Sequence, residues 1–213
     1  MRLPEAGSLY PLMFQPIYQR RIWGGSLLAR VLGRELPPTA ADEDPIGESW
    51  ELSDRGDAQS KVANGPLAGC ELGALVRHYG QALLGANWDG ARFPLLVKLI
   101  DAGERLSLQV HPDEAYCRAS RDGSEPKTEM WYIVGCEPGG EILAGLTPRA
   151  TRDLLVKELD SPRVAELLQR FPSQVGDSYF IQAGTVHAIG AGNLIFEIQQ
   201  NSDTTYRVSD WGR

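Results

Sequence analysis

Histidine, cysteine and methionine each occur only three times in 213 residues. Each scarcity excludes something. Cys70, Cys117 and Cys136 are odd in number and show no CxxC spacing, so neither a disulfide framework nor a thiolate metal centre is expected. They read as small, buried free thiols of a reducing compartment, and a cytoplasmic location follows. No stretch approaches the roughly 20 apolar residues of a membrane-spanning helix, so no membrane partner is expected. The first residues lack the basic segment and the roughly 7–15-residue apolar core of a secretory leader. Positive charge is also short: 21 Lys and Arg stand against 28 Asp and Glu, giving a net charge of -7 and a pI near 5.0. That argues against a nucleic-acid surface but leaves room for a local basic pocket that takes a small anion. Internal repeats and low-complexity tracts are missing as well.

What remains is an ordinary globular composition, 42% hydrophobic and 23% charged, with enough chain for one large β-rich domain. "YPLMFQPIYQRRIWGG", residues 10–25, reads as an extended segment ending in a turn. In "IGESWELSD", Gly47, Ser49 and Glu51 alternate with Glu48, Trp50 and Leu52, which predicts a short strand. Leu72, Leu75, Val76, Tyr79 and Leu83 recur at helical spacing within 71–86, and a second helical block spans 148–171. The second block divides at Ser161-Pro162, where proline can open a new helix. "FPLLVKLIDA" is an apolar strand interrupted by Lys98. Strands at 105–111 and 129–134 follow, and 176–211 alternates short strands with glycine turns. This pattern predicts a mainly β sandwich or barrel carrying two small helical blocks.

The chemistry concentrates in a few positions. In "RLSLQVHPDE", Ser107, Gln109 and His111 share one strand face. A hydroxyl, an amide and an imidazole side by side do not suit a dry core. Glu129 heads the apolar run "MWYIV", where a carboxylate needs a partner and a cation supplies one. His187 follows Gly184 in "AGTVHAIGAGN". Gln109, His111, Glu129 and His187 together make an N/O donor set suited to zinc or another divalent first-row ion. With one carboxylate and three neutral ligands, such an ion keeps a net charge of about +1 and its Lewis acidity. His78, beside Arg77 in the first helical block, reads as a surface or half-buried helical residue.

The spacing of Gly176, Gly184 and His187 resembles the second motif of the cupin superfamily, and "QVH" with Glu129 resembles the first. More specifically, "RIWGG", "IGESWELSD", "FPLLVKLIDAGERLSLQVHPDEAY", "PKTEMWYIV" and "AGTVHAIGAGNLIFEIQQNSDTTYRVSDW" are similar to type I mannose-6-phosphate isomerase in its short bacterial form. The similarity runs from Tyr10 to Trp211.

That resemblance implies a single cupin-type jelly-roll domain over residues 1–213, metal-binding and catalytic. It implies a zinc-dependent aldose–ketose isomerase that interconverts mannose 6-phosphate and fructose 6-phosphate, with one Zn²⁺ per chain. Matched residue by residue, the zinc ligands are Gln109, His111, Glu129 and His187. Arg207 matches the active-site arginine, Lys98 and Lys127 the pocket lysines, Ser107 the motif serine, and Glu48 and Glu197 the acidic pocket residues. Lys98 and Ser107 are expected to meet the phosphate. Glu48, Glu197 and Lys127 all stand as candidates for the base. Pro126 replaces the histidine that long members carry before the matching lysine, so a proton shuttle there is not expected. Family members continue beyond the arginine by half a domain or more, whereas Arg213 lies six residues after Arg207. Hence the other expectation: a shortened homologue that binds metal and sugar phosphate as a sensor and turns over poorly. Apolar surface left by a missing lobe could be covered in a homodimer.

Overall fold

The computed structural model describes residues 9–56, 58–90 and 92–213; the reading of a leader segment falls partly on 1–8, outside the described residues. Two antiparallel sheets carry the fold. The first has six strands in the order β1 (Ile17–Arg20), β2 (Ile46–Leu52), β5 (Leu95–Ala102), β12 (Asn193–Gln200), β7 (Glu129–Cys136) and β10 (Ser178–Ile181). The second has five, in the order β13 (Tyr206–Ser209), β6 (Leu108–Val110), β11 (His187–Ile189), β8 (Glu141–Leu146) and β9 (Leu168–Pro172). A small hairpin pairs β3 (Asp54–Arg55) with β4 (Ala58–Gln59). This is the mainly β, cupin-like architecture expected from the sequence.

Alternation along the central strands decides what lies between the sheets. In β7, Glu129, Trp131, Ile133 and Gly135 are buried, while Met130, Tyr132, Val134 and Cys136 are partly or fully exposed. The inward isoleucines of both sheets meet in one core: Ile100, Ile133, Ile181 and Ile195 from the first, Ile142 and Ile189 from the second. Each such side chain, fully buried, contributes on the order of 1.5–3 kcal/mol. A second cluster packs Leu108, Leu143, Leu168 and Ala188 behind the five-stranded sheet against Val164 and Ala165.

The helices decorate the sheets. The first helical block is α2 (Leu72–Tyr79) and α3 (Gln81–Leu84), broken at Gly80. The second is shorter than its sequence bounds. It holds α5 (Arg152–Glu158) and a 3-10 turn, Pro162–Leu167, that opens at Ser161-Pro162; from Leu168 onward the chain is strand β9. Pairing with β8 wins over helical spacing there. Two further helices, α1 (Leu27–Leu32) and α4 (Glu114–Ser120), are too short to show a periodicity in sequence. α1 lays Leu27 and Leu28 on Ile46, Leu99 and Leu194 of the first sheet. Its N-cap, Ser26, makes no side-chain bond; instead the Leu28 amide donates to Asp101 Oδ2 at 2.7 Å from strand β5. Burial pushes the Asp101 carboxyl up to about 6 even though backbone amides of Leu28 and Leu27 oppose this.

Candidate active site

Register brings the polar residues together. On the inner face of the first sheet, one cross-strand row runs Trp50, Lys98, Glu197, Trp131. On the second sheet, the corresponding row runs Arg207, Gln109, His187, Ala144. Between them lies a cavity of about 350 Å³. Its walls include Glu48, Lys98, Ser107, Gln109, Lys127, Glu129, Glu197 and Arg207. His111 and His187 are buried directly behind it. All ten residues singled out from the sequence therefore gather at one place, while His78 lies exposed on α2.

His111, Glu129 and His187 form the geometric core of a candidate metal site. One donor atom from each lies within 4.8 Å of the other two. His111 Nε2 is 3.2 Å from Glu129 Oε1, and His187 Nε2 is 3.6 Å from Glu129 Oε2. Ligands held ~2.05 Å from a tetrahedral ion sit ~3.3 Å apart, so these separations suit a common ion. The other ring nitrogens are engaged: His111 Nδ1 lies 3.0 Å from the Thr204 carbonyl and His187 Nδ1 2.8 Å from that of Thr185. A carbonyl can only accept, so each Nδ1 carries the proton and each Nε2 offers its lone pair. Both Nε2 atoms and Glu129 Oε2 are buried without a hydrogen-bond partner. Three orphaned buried atoms aimed at one point are costly for a protein unless a cation meets them. Burial, partly opposed by Glu129, lowers His187 to about 4, so its ring is neutral near pH 7. Burial would raise Glu129, but the Lys127 ammonium at 2.7 Å holds it well below the usual carboxylate range. Gln109, paired in register with His187, adds an amide on the cavity side. The donor set fits a divalent ion.

Glycine permits the approach of the second motif. Gly184, at φ +86°, turns the chain just before Thr185 and donates its amide to the His111 carbonyl at 2.8 Å. The two histidine motifs are thereby bonded to each other.

The opposite wall is a ladder of alternating charge. Arg21 is 2.9 Å from Glu48, Lys98 Nζ is 3.9 Å from Glu48 and 3.1 Å from Glu197, and Lys127 pairs with Glu129. Two indoles complete it: Trp50 Nε1 donates to Glu48 at 2.8 Å, and Trp131 Nε1 to Glu197 at 2.7 Å. Burial disfavours both charged forms, yet Lys98 with Arg21 keeps Glu48 lowered, and Glu197 with Glu48 raises Lys98. Glu197 moves the other way: burial, then the Glu129 charge, raises it despite Lys98. The two carboxylates thus differ in acidity, as acid–base work requires. Arg207 sits at the exposed mouth, its Nε donating to Ser107 Oγ at 3.3 Å.

Sequence reasoning missed Arg21, Trp23, Trp50, Trp131 and the carbonyls of Thr185 and Thr204. Trp50 and Trp131 were reachable, because each follows a chosen glutamate by two residues and so shares its strand face. Nothing local marks Arg21 or a backbone carbonyl. A larger cavity, of about 660 Å³ and lined by Leu84, Trp88, Phe93 and Leu95 among others, shares no residue with this one.

Residues 12–129 match the family described as phosphomannose isomerase type I, catalytic domain. This chain belongs to the type I phosphomannose isomerase family. It is 40% identical over 203 residues to mannose-6-phosphate isomerase ManA of Bacillus subtilis, covering 95% of this chain and 62% of that protein. It is 37% identical, also over 203 residues, to the mannose-6-phosphate isomerase of Streptococcus mutans, covering 95% of this chain and 61% of the relative. The crystal structure of the mannose 6-phosphate isomerase from Bacillus subtilis superimposes with a TM-score of 0.83 at 38% identity, over 95% of this chain and 62% of that one. The chain thus spans a little over three-fifths of the length of these family members. Among the described residues no helix is long and apolar enough to cross a membrane.

Proposed function

We propose that this chain is a single cupin-like catalytic unit of a zinc-dependent isomerase that interconverts mannose 6-phosphate and fructose 6-phosphate. One observation carries the reading: the unpartnered Nε2 atoms of His111 and His187 converge with Glu129 beside a cavity walled by Lys98, Lys127, Glu48 and Glu197. Membership of the family supports it. The donor chemistry of Gln109, His111, Glu129 and His187 favours one zinc per chain. When bound, the ion supplies Lewis acidity that polarises the substrate's oxygens.

The remaining work falls to side chains. Before any ion binds, Arg21, Lys98, Lys127 and Arg207 match Glu48, Glu129, Glu197 and Asp203 in formal charge. A dication then leaves the cavity positive, which suits a phosphorylated sugar. Lys98 and Ser107 meet the phosphate, Lys98 as a point charge and Ser107 as a hydroxyl donor. The hard step is loss of a proton from the carbon beside the carbonyl, giving an enediolate. Arg207 offers fixed positive charge against that developing anion. Glu197, raised by burial and by Glu129, can hold a proton, while Glu48, lowered by Lys98 and Arg21, can accept one. Lys127 keeps Glu129 ionised and stands beside the same space. The free cysteines at 70, 117 and 136 favour a cytoplasmic setting.

The test is isomerisation of fructose 6-phosphate by the purified 213-residue chain before chelation, after it, and with zinc restored. Chelator-sensitive turnover rescued by zinc is expected. Stoichiometric zinc with no turnover would overturn the isomerase reading and leave a binding module.

A further inference from the structure

Trp131 has no exposed surface and touches both halves of the site. Its ring meets the imidazole of His187 edge-to-face, with centroids 5.3 Å apart and planes at 74°. Its Nε1 donates to Glu197 Oε2 at 2.7 Å. The other oxygen of that carboxylate, Oε1, is the one 3.1 Å from Lys98 Nζ. Two strands set this arrangement, since Trp131 of β7 and Glu197 of β12 are direct partners in register. The cross-strand row continues from Glu197 to Lys98. A phenylalanine at this position would fill most of the same core space, among Ile133, Ile142 and Ile189, without reaching Glu197. The indole nitrogen is the atom that core packing leaves unexplained.

We propose that Trp131 is a positioning residue that ties the metal-binding side of the cavity to its acid–base side, its ring orienting His187 and its indole N–H fixing the Glu197 carboxylate. The ring restricts rotation of His187 about the bond that Thr185 already limits through Nδ1. The N–H holds Oε2 and leaves Oε1 to Lys98. The consequence for turnover rests on the isomerase reading above; the consequence for the metal centre does not.

Two variants separate the functions. W131F keeps a ring beside His187 and removes the donor, whereas W131M keeps a flexible apolar side chain, smaller than the indole, and removes both. Cobalt(II) serves as the metal probe, because its visible absorption reports ligand geometry. With W131F, kcat for fructose 6-phosphate is expected to fall about ten- to hundredfold, the loss expected for one hydrogen bond to a charged group. KM and the cobalt spectrum should stay as in the wild type, the pattern of an interaction used only in the transition state. With W131M the cobalt bands should shift as well. A W131F protein that loses thermal stability but keeps kcat would overturn the role of the N–H. A W131M protein with wild-type cobalt bands would overturn the role of the ring. Should the wild-type chain bind cobalt but turn over nothing, the isomerase reading fails by itself, and the cobalt bands of the two variants still decide this one: shifted in W131M alone supports it, unmoved in both overturns it.

Discussion

Replacing Glu129 by glutamine removes the single anion from the four candidate ligands while keeping a similar shape. In the native site Glu129 is 2% exposed, 2.7 Å from Lys127 and within 3.6 Å of both imidazole Nε2 atoms. Two effects follow. The unloaded variant loses its buried pair with Lys127, and breaking such a pair costs about 3–5 kcal/mol. The second effect is specific to the ion and appears as a difference within each protein with and without zinc. At zinc ~100 times its Kd, binding stabilises the wild type by ~2.7 kcal/mol. For a chain of this size that raises Tm by about 5–11 °C. If loss of the anion weakens zinc ~100-fold, the same zinc concentration equals the variant's Kd and contributes only ~0.4 kcal/mol. Its zinc-induced shift then shrinks to about 1–2 °C. Thermal melts of both proteins, each with chelator and with zinc, read this directly. An E129Q shift equal to that of the wild type would place the ion elsewhere and refute the donor set.

Two other outcomes are expected. Arg207 is exposed at the cavity mouth and, among the described residues, its side chain is bonded to Ser107 alone, so R207A should leave Tm nearly unchanged yet lower kcat by about 10²–10³, as for loss of one transition-state donor; steady-state kinetics showing unchanged kcat would remove that role. Asp101 binds its proton up to about pH 6 in the folded chain against 3.8 ordinarily, so its contribution to stability is fullest below pH 3.8 and is lost as pH rises to about 6. Urea melts of the wild type and D101N across that window should therefore diverge, with the variant gaining relative to the wild type as pH rises, and parallel curves would contradict the shift.

Local alternation and the identity of rare residues carried most of the site. Gln109 and His111 stand two apart on a strand, and only three histidines exist, so two of them beside polar partners were conspicuous in the chain itself. Glu129 stood out because a carboxylate at the head of "MWYIV" has no local reason to be there. The mainly β character and both helical blocks followed from periodicity. The sequence could not supply the pairing of strands far apart in the chain. Lys98 meets Glu197 across 99 positions because β5 and β12 share a register, and His187 meets Gln109 because β11 pairs with β6. Strand propensity carries no record of which neighbour a strand will choose. The same holds for Trp131, whose two contacts come from different sheets, and for Arg21, brought to Glu48 by the pairing of β1 with β2. Short helices such as α1 lay below the length at which a period can be read, and α1 takes its cap from Asp101, 73 residues away. What the chain wrote locally was the inventory of donors, acids and bases. Tertiary structure decided their distances, and with them which nitrogens keep a free lone pair and which carboxylates are pushed above or below their ordinary range.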